Sequence, residues 1–200
     1  MVDALLRFTY AAEDASAATL AARAVLGSAE VTMRGEAVSW KQTSLVDDGI
    51  SVSRVEVRGD TVRLVIAKAT ELVVVHVRNG TAVLQNGDQE ATLTAGGLGL
   101  IPIDAKARLQ ASSAELELFS LPPAPLARLL GVPKHAVQLH SPRITPRSPE
   151  LAEYLRRVAH LLTTAVFGVP EVYGRDLVRV QTIDTPVSYT HLTLPTNREV

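Results

Sequence analysis

Between residues 71 and 121, apolar and polar positions alternate in short runs separated by glycine-bearing turns. Residues 71–78 have the pattern of a strand, and Asn79-Gly80 is the dipeptide of a two-residue type I′ hairpin, since both positions accept positive φ. The runs 81–85 and 89–94 flank a second turn at Asn86-Gly87-Asp88, and Ala95-Gly96-Gly97 leads into 98–101, which Pro102 ends. Two further runs, 106–111 and 115–121, complete this region. Ahead of it, 30–34, 38–45, 50–57 and 61–67 read as extended, with breaks at Gly35, Asp47-Asp48-Gly49 and Gly59-Asp60. Together these make about eight or nine closely spaced strands, which predicts a sandwich or a jelly-roll-like barrel.

Helical periodicity appears at the two ends. Residues 7–10 read as a short extended arm, and 13–26 as an alanine-rich helix with acids at its start and Gly27 as its C-cap. Leu121-Pro122-Pro123 closes the β region, a short helix over 124–130 follows, and 141–146 is a linker. Ser148-Pro149-Glu150 is a helix start with proline at N1. Beyond it Leu151, Tyr154, Leu155, Val158, Leu161, Leu162 and Ala165 recur at spacings of three and four, until Gly168-Val169-Pro170. A further helix is expected over about 172–182. Leu151, Tyr154, Leu155, Val158 and Leu162 form one seam, with Glu153, Arg156 and Arg157 on the opposite face. Burying such side chains is worth roughly 1.5–3 kcal/mol each, and an antiparallel helix pair in a dimer is preferred here to packing on the barrel alone.

With 200 residues there is room for one barrel and a small helical segment. The net charge of −1 gives no global footprint for nucleic acid or anionic membrane, and the absence of cysteine excludes disulfides and thiolate sites. The N-terminus lacks a signal-peptide pattern, and no apolar run approaches the roughly 18 residues of a membrane span, so a cytoplasmic protein is expected. A facial metal site needs paired histidines two apart on a strand, and Arg78 stands where the partner of His76 would be; no metal and no cofactor are expected. His76 is a candidate ligand contact in a barrel, against the simpler role of a hydrogen-bonded strand residue. Trp40, the only tryptophan, is either a core aromatic or a stacking wall for a small molecule. Arg54, Glu56 and Arg58 alternate as a solvated face with cross-strand charge pairs. Gly96-Gly97-Leu98-Gly99 opens a strand and not a helix, which argues against a phosphate loop. No nucleophile elbow or acid/base pair is marked out, and no catalytic residue is assigned.

The ordered set of landmarks resembles the N-terminal domain of AraC-type transcription regulators. These are the alanine-rich helix ending at Leu26-Gly27, the stretch 73–80, Gly96-Gly-Leu-Gly-Leu-Ile-Pro102, Leu121-Pro-Pro123, Leu126-Ala-Arg-Leu-Leu-Gly131, Ser141-Pro-Arg-Ile-Thr-Pro146 and Glu150-Leu-Ala-Glu-Tyr-Leu-Arg-Arg157. The resemblance implies an α+β, mainly β fold: a cupin-like jelly-roll barrel with a short N-terminal helix and a C-terminal helical dimerisation segment. It further implies an unknown small-molecule effector, a homodimer, and DNA contact only through a C-terminal pair of helix-turn-helix motifs. No basic recognition helix is present. Residues 187–200 resemble translated adapter sequence, so truncation ahead of the DNA-binding part is expected. The organisation is then arm, helix and effector-binding barrel over 1–121, a helical dimerisation segment over 122–186, and a non-native tail over 187–200. The alternatives are a cupin-fold enzyme and a stand-alone small-molecule-binding barrel.

Overall fold

The structure, a computed structural model, describes residues 6–46, 50–124, 127, 144–146 and 148–168; in the last segment the side chains at 151, 154, 158, 162 and 165–168 are outside the description. In chain order the elements are β1 (Leu6–Ala12), α1 (Ala15–Leu26), β2 (Ser28–Arg34), β3 (Ser39–Val46), β4 (Ser51–Arg58), β5 (Thr61–Lys68), β6 (Leu72–Asn86), β7 (Gln89–Thr94), β8 (Leu98–Ile101), β9 (Ala107–Leu121) and α2 (Pro149–Gly168). The strands form one mostly antiparallel nine-stranded sheet, curled into a half-barrel, in the order β1-β3-β4-β9-β5-β2. Strand β9 is its spine. Along one edge it pairs with β4 and then β5; along the other it pairs with β6, which also carries β7 and β8.

Side chains alternate between faces along a strand, so register assigns each residue to a face. Gln42, Val55, Leu116 and Val77 lie in one row, and Ser44, Ser53, Leu118 and Val75 in another. Most of these apolar side chains, with Trp40, Val57 and Val73, belong to one buried cluster that fills the concave face.

Helix α1 forms where the sequence supplies a cap at each end. Asp14 has an extended backbone and accepts the amide N–H of Ala17 at 2.9 Å, and Gly27 adopts φ 66° beyond the last turn. Ala18, Ala21 and Ala22 are fully buried, and their small side chains let the helix approach β1, β2 and β3 closely. It connects the two terminal strands of the sheet and covers the opening between them. The Thr19 hydroxyl accepts the N–H of Val31 at 2.9 Å, Arg23 Nε donates to the Ala29 carbonyl at 2.8 Å, and Gln42 Nε2 donates to the Ala21 carbonyl at 3.1 Å. The stretch expected as an arm is strand β1, paired with β3 along its whole length.

Two expectations fail in the middle of the sheet. Asn79-Gly80 does not turn the chain: β6 runs through it, and the register against β9 shifts on both sides of Asn79. The runs 106–111 and 115–121 are likewise one strand, β9, in which Ser113 has φ 43°. A dipeptide that tolerates positive φ serves a bulge as well as a turn, and the long partner strand decides between them. Gly80 has φ 80°, and a Cβ there would lie 2.6 Å from the Ser113 carbonyl oxygen. The Gly87 turn forms as expected, joining β6 to β7.

Helix α2 packs against β4 and β8. Leu155 is buried against Leu98 and Val74, so this member of the apolar seam faces the protein's own sheet. The side chains of Leu151, Tyr154, Val158 and Leu162 lie outside the described residues, as does nearly all of the expected helix over 124–130, and all of 172–182 and the tail. From the linker, Ile144 is fastened to the sheet: its N–H meets Gln89 Oε1 at 3.2 Å and its carbonyl accepts Leu100 N–H at 2.9 Å. No helix among the described residues is long and apolar enough to cross a membrane.

Replacing Gly80 by alanine should lower stability by roughly 1–3 kcal/mol, because it combines a disfavoured backbone angle with a steric clash. Gly87→Ala shares the positive φ of 57° but meets open space, and should cost less. Urea unfolding of both variants checks the difference.

Candidate functional site

Trp40 and His76 lie on opposite faces of the sheet, so a single pocket does not contain both. Trp40 belongs to the concave face and is 2 % exposed. Its indole Nε1–H donates to Gln42 Oε1 at 3.2 Å, Gln42 Nε2 donates to Ser44 Oγ at 2.9 Å, and the Ser44 and Ser53 hydroxyls share a 2.7 Å hydrogen bond. A row of polar groups thus runs across the floor of the half-barrel, satisfied from within. Trp40 also reaches the wall of an open cleft of about 620 Å³ between the end of β1, the start of α1 and the β3–β4 ladder.

His76 belongs to the convex face, beneath α2. Register puts Arg54 and His76 on either side of Glu117 in one row, and Glu115 in the next row toward the bulge. Glu117 is 2 % exposed, and its Oε2 lies 3.0 Å from His76 Nδ1. Its Oε1 receives Arg54 Nη2 at 3.4 Å and lies 3.5 Å from Arg78 Nε. The same two arginines reach Glu115, Arg78 through Nη1 at 3.1 Å and Arg54 through Nε at 3.6 Å. From α2, the Thr163 hydroxyl donates to the Ala159 carbonyl at 2.8 Å and also helps hold the Glu117 carboxylate ionised.

A carboxylate out of water survives as an ion only where charge and hydrogen bonds replace its hydration. Burial by itself raises the pKa of Glu117. The hydrogen bond from His76, the positive charges of His76 and Arg78 and the hydrogen bond from Thr163 outweigh it, and the group is held below its ordinary value. The cluster therefore places a fixed negative charge, clasped by cations, at the joint between sheet and helix. Beside it is a cavity of about 270 Å³ lined by Arg54, His76, Arg78, Glu117, His160, Thr163 and Thr164. A third cleft, of about 550 Å³, lies along Lys41, Arg54, Glu56, Arg58 and Glu115.

Of the residues singled out from sequence, His76 and Arg54 come together here, while Trp40 stands on the other face and Leu155 packs against Leu98 and Val74. Glu117, Arg78 and Thr163 were not anticipated. The signal for Glu117 was its alternation with Leu116 and Leu118, which puts it on the face opposite the core; its partners follow only from the pairing of β9 with β4 and β6. Among the described residues no group of three histidine, cysteine, aspartate or glutamate side chains could hold a metal ion.

Because the folded-state pKa of Glu117 lies below the ordinary carboxylate value of about 4.3, its charge stabilises the fold above that pH. The contribution is lost as pH falls through the lowered folded value. Glu117→Gln should therefore cost roughly 1–3 kcal/mol at neutral pH, the exposed arginines turning to water, and should lose less further stability on acidification than the parent. Thermal unfolding from pH 7 downwards measures both slopes; parallel curves would exclude the role assigned to Glu117.

No protein-family model matches the chain, and no curated protein matches it in sequence. Among solved structures, it is similar to the AraC-like transcriptional activator CuxR: the overlay covers 94% of this chain and 69% of that one, with a TM-score of 0.56 at 13% identity. Partial overlays occur on the Cnp3 cupin domain of Schizosaccharomyces pombe, over 47% of this chain and 72% of that one (TM-score 0.39, 11% identity). A cupin superfamily protein of Desulfitobacterium hafniense overlays 46% of this chain and 83% of its own (TM-score 0.37, 17% identity). At these identities the likeness is one of fold, and the CuxR overlay carries it.

Proposed function

We propose that this chain is the small-molecule-sensing part of an AraC-type transcription regulator. The observation that carries this reading is the overlay on an AraC-like activator, which extends over 94% of the chain and so takes in the region beyond the β half-barrel. The effector is placed on the barrel; of the two sequence-derived contacts, Trp40 lies at the cleft beside α1 and His76 at the separate cavity under α2, so one effector would meet only one of them. DNA is bound by a helix-turn-helix pair outside the described residues, and two copies associate through the seam at Leu151, Tyr154, Val158 and Leu162, while Leu155 anchors α2 to its own sheet. The reading is of a cytoplasmic binding protein and not an enzyme. The geometry in its favour is the Glu117 clasp: a helix held to a sensor sheet by a charge cluster is an element whose position a ligand can bias.

The genomic reading frame beyond codon 186 tests this directly. A pair of helix-turn-helix motifs with a basic recognition helix is the expected continuation. A stop codon, or a domain of another kind, would overturn the regulator reading and move a stand-alone binding barrel ahead of it.

A further inference from the structure

We propose that the cavity between the sheet and α2 is a binding site for a small anion carrying a carboxylate or phosphate group, held jointly by His76 and Arg78 of β6 and His160 and Thr164 of α2. The site goes beyond the regulator reading and does not depend on it.

Charge sets the sign of the ligand. The cavity is lined by two guanidinium groups and two imidazoles against a single carboxylate, Glu117, which Arg54, His76 and Arg78 already engage; the two arginines also reach Glu115, outside the lining. An added cation would meet the outer parts of Arg54 and Arg78; an added anion meets donors. Arg78 commits Nη1 to Glu115 and Nε to Glu117, so its Nη2 has no partner among the described residues. The His76 ring is oriented by its Nδ1 contact to Glu117, and its Nε2 likewise has none. With Nδ1 turned to Glu117, Nε2 is the ring nitrogen left to meet a ligand. On the helix, His160 and Thr164 are four residues apart and share a face, both exposed and both at the cavity wall.

Size sets the class. A volume of about 270 Å³ falls below the usual 300–1,000 Å³ of sites for drug-sized ligands and suits a small acid or phosphate. Because the donors come from two elements, an anion bound here bridges sheet and helix. It binds the docked arrangement of α2 and favours it by mass action.

Inorganic phosphate and malonate, added separately to the full chain at constant ionic strength held with chloride, provide the test. The imidazole Cε1–H NMR signals of His76 and His160, assigned with His76→Gln and His160→Gln, should move together and saturate with one or both anions. Response to phosphate alone identifies a phosphate-type ligand, to malonate alone a carboxylate, and to both a shared oxyanion site; each supports the proposal. His160→Ala and Thr164→Ala lie on the exposed helix face, and each should weaken binding by at least about tenfold, the loss of one hydrogen bond to a charged group. Lys68→Ala, whose side chain pairs with Asp104 and is absent from the cavity lining, should leave binding unchanged. Signals that do not move or do not saturate, or a His160→Ala variant that retains full affinity, would overturn the proposal.

Discussion

The two branches of the sheet that end at β1 and β2 each leave a raw edge, a row of unpaired backbone groups, and the rest of this fold depends on how α1 sits between them. The helix follows β1 and precedes β2, the strands at the two ends of the order, so the chain itself places it at the seam. On the β2 side, the Thr19 hydroxyl and the Arg23 guanidinium take up backbone groups of Val31 and Ala29 that no strand reaches. On the β3 side, Gln42 extends from the sheet floor to the Ala21 carbonyl. A buried edge without these partners would cost several hydrogen bonds, and an exposed one would invite pairing with another chain. Alanine at 18, 21 and 22 allows the close approach on which the three contacts rely.

With the concave face filled by side chains, polar chemistry is displaced to the convex face. Glu117 illustrates the balance. Its carboxylate is buried by α2 and stays ionised because His76 and two arginines stand where water would be. Each arginine bridges Glu115 and Glu117, so two guanidinium groups are shared between two carboxylates. Moving α2 away would return Glu117 to water and remove the Thr163 contact, while Leu155 would leave Leu98 and Val74. The electrostatic and apolar contacts of the helix would thus break together.

The strand pattern was legible in the sequence because alternation and glycine turns are local signals. Six of the nine strands lie close to where the runs 30–34, 38–45, 50–57, 61–67, 89–94 and 98–101 place them, and Gly27 is readable as the C-cap of α1. Asn79-Gly80 misled for a physical reason: its local preference for positive φ is real, as φ 80° at Gly80 shows, but β9 pairs across it for its whole length and turns the feature into a bulge. The site was legible only by halves. His76 and Arg54 stood out as polar residues in β runs, whereas the carboxylate between them comes from a strand more than forty residues beyond His76, brought in by pairing that no local pattern encodes.

The clefts on the convex face share walls. Lys41, Glu56 and Arg58 line both the opening beside the α1 N-terminus and the cleft along β4, and Arg54 lines both that cleft and the cavity under α2. A path of charged side chains on neighbouring rigid strands therefore runs from the sealing helix to the docked one. Adjacency alone is not coupling: energy passes between sites only through an element with two arrangements that both sites bias. The strands have hydrogen-bond ladders to hold them, so the element free to take that part is α2, and Arg54 is the residue through which a charge change along β4 is felt at Glu117. A ligand in the middle cleft that drew the Arg54 guanidinium toward itself would weaken one of the cations around Glu117, raise the cost of keeping that carboxylate buried, and loosen α2 without touching it.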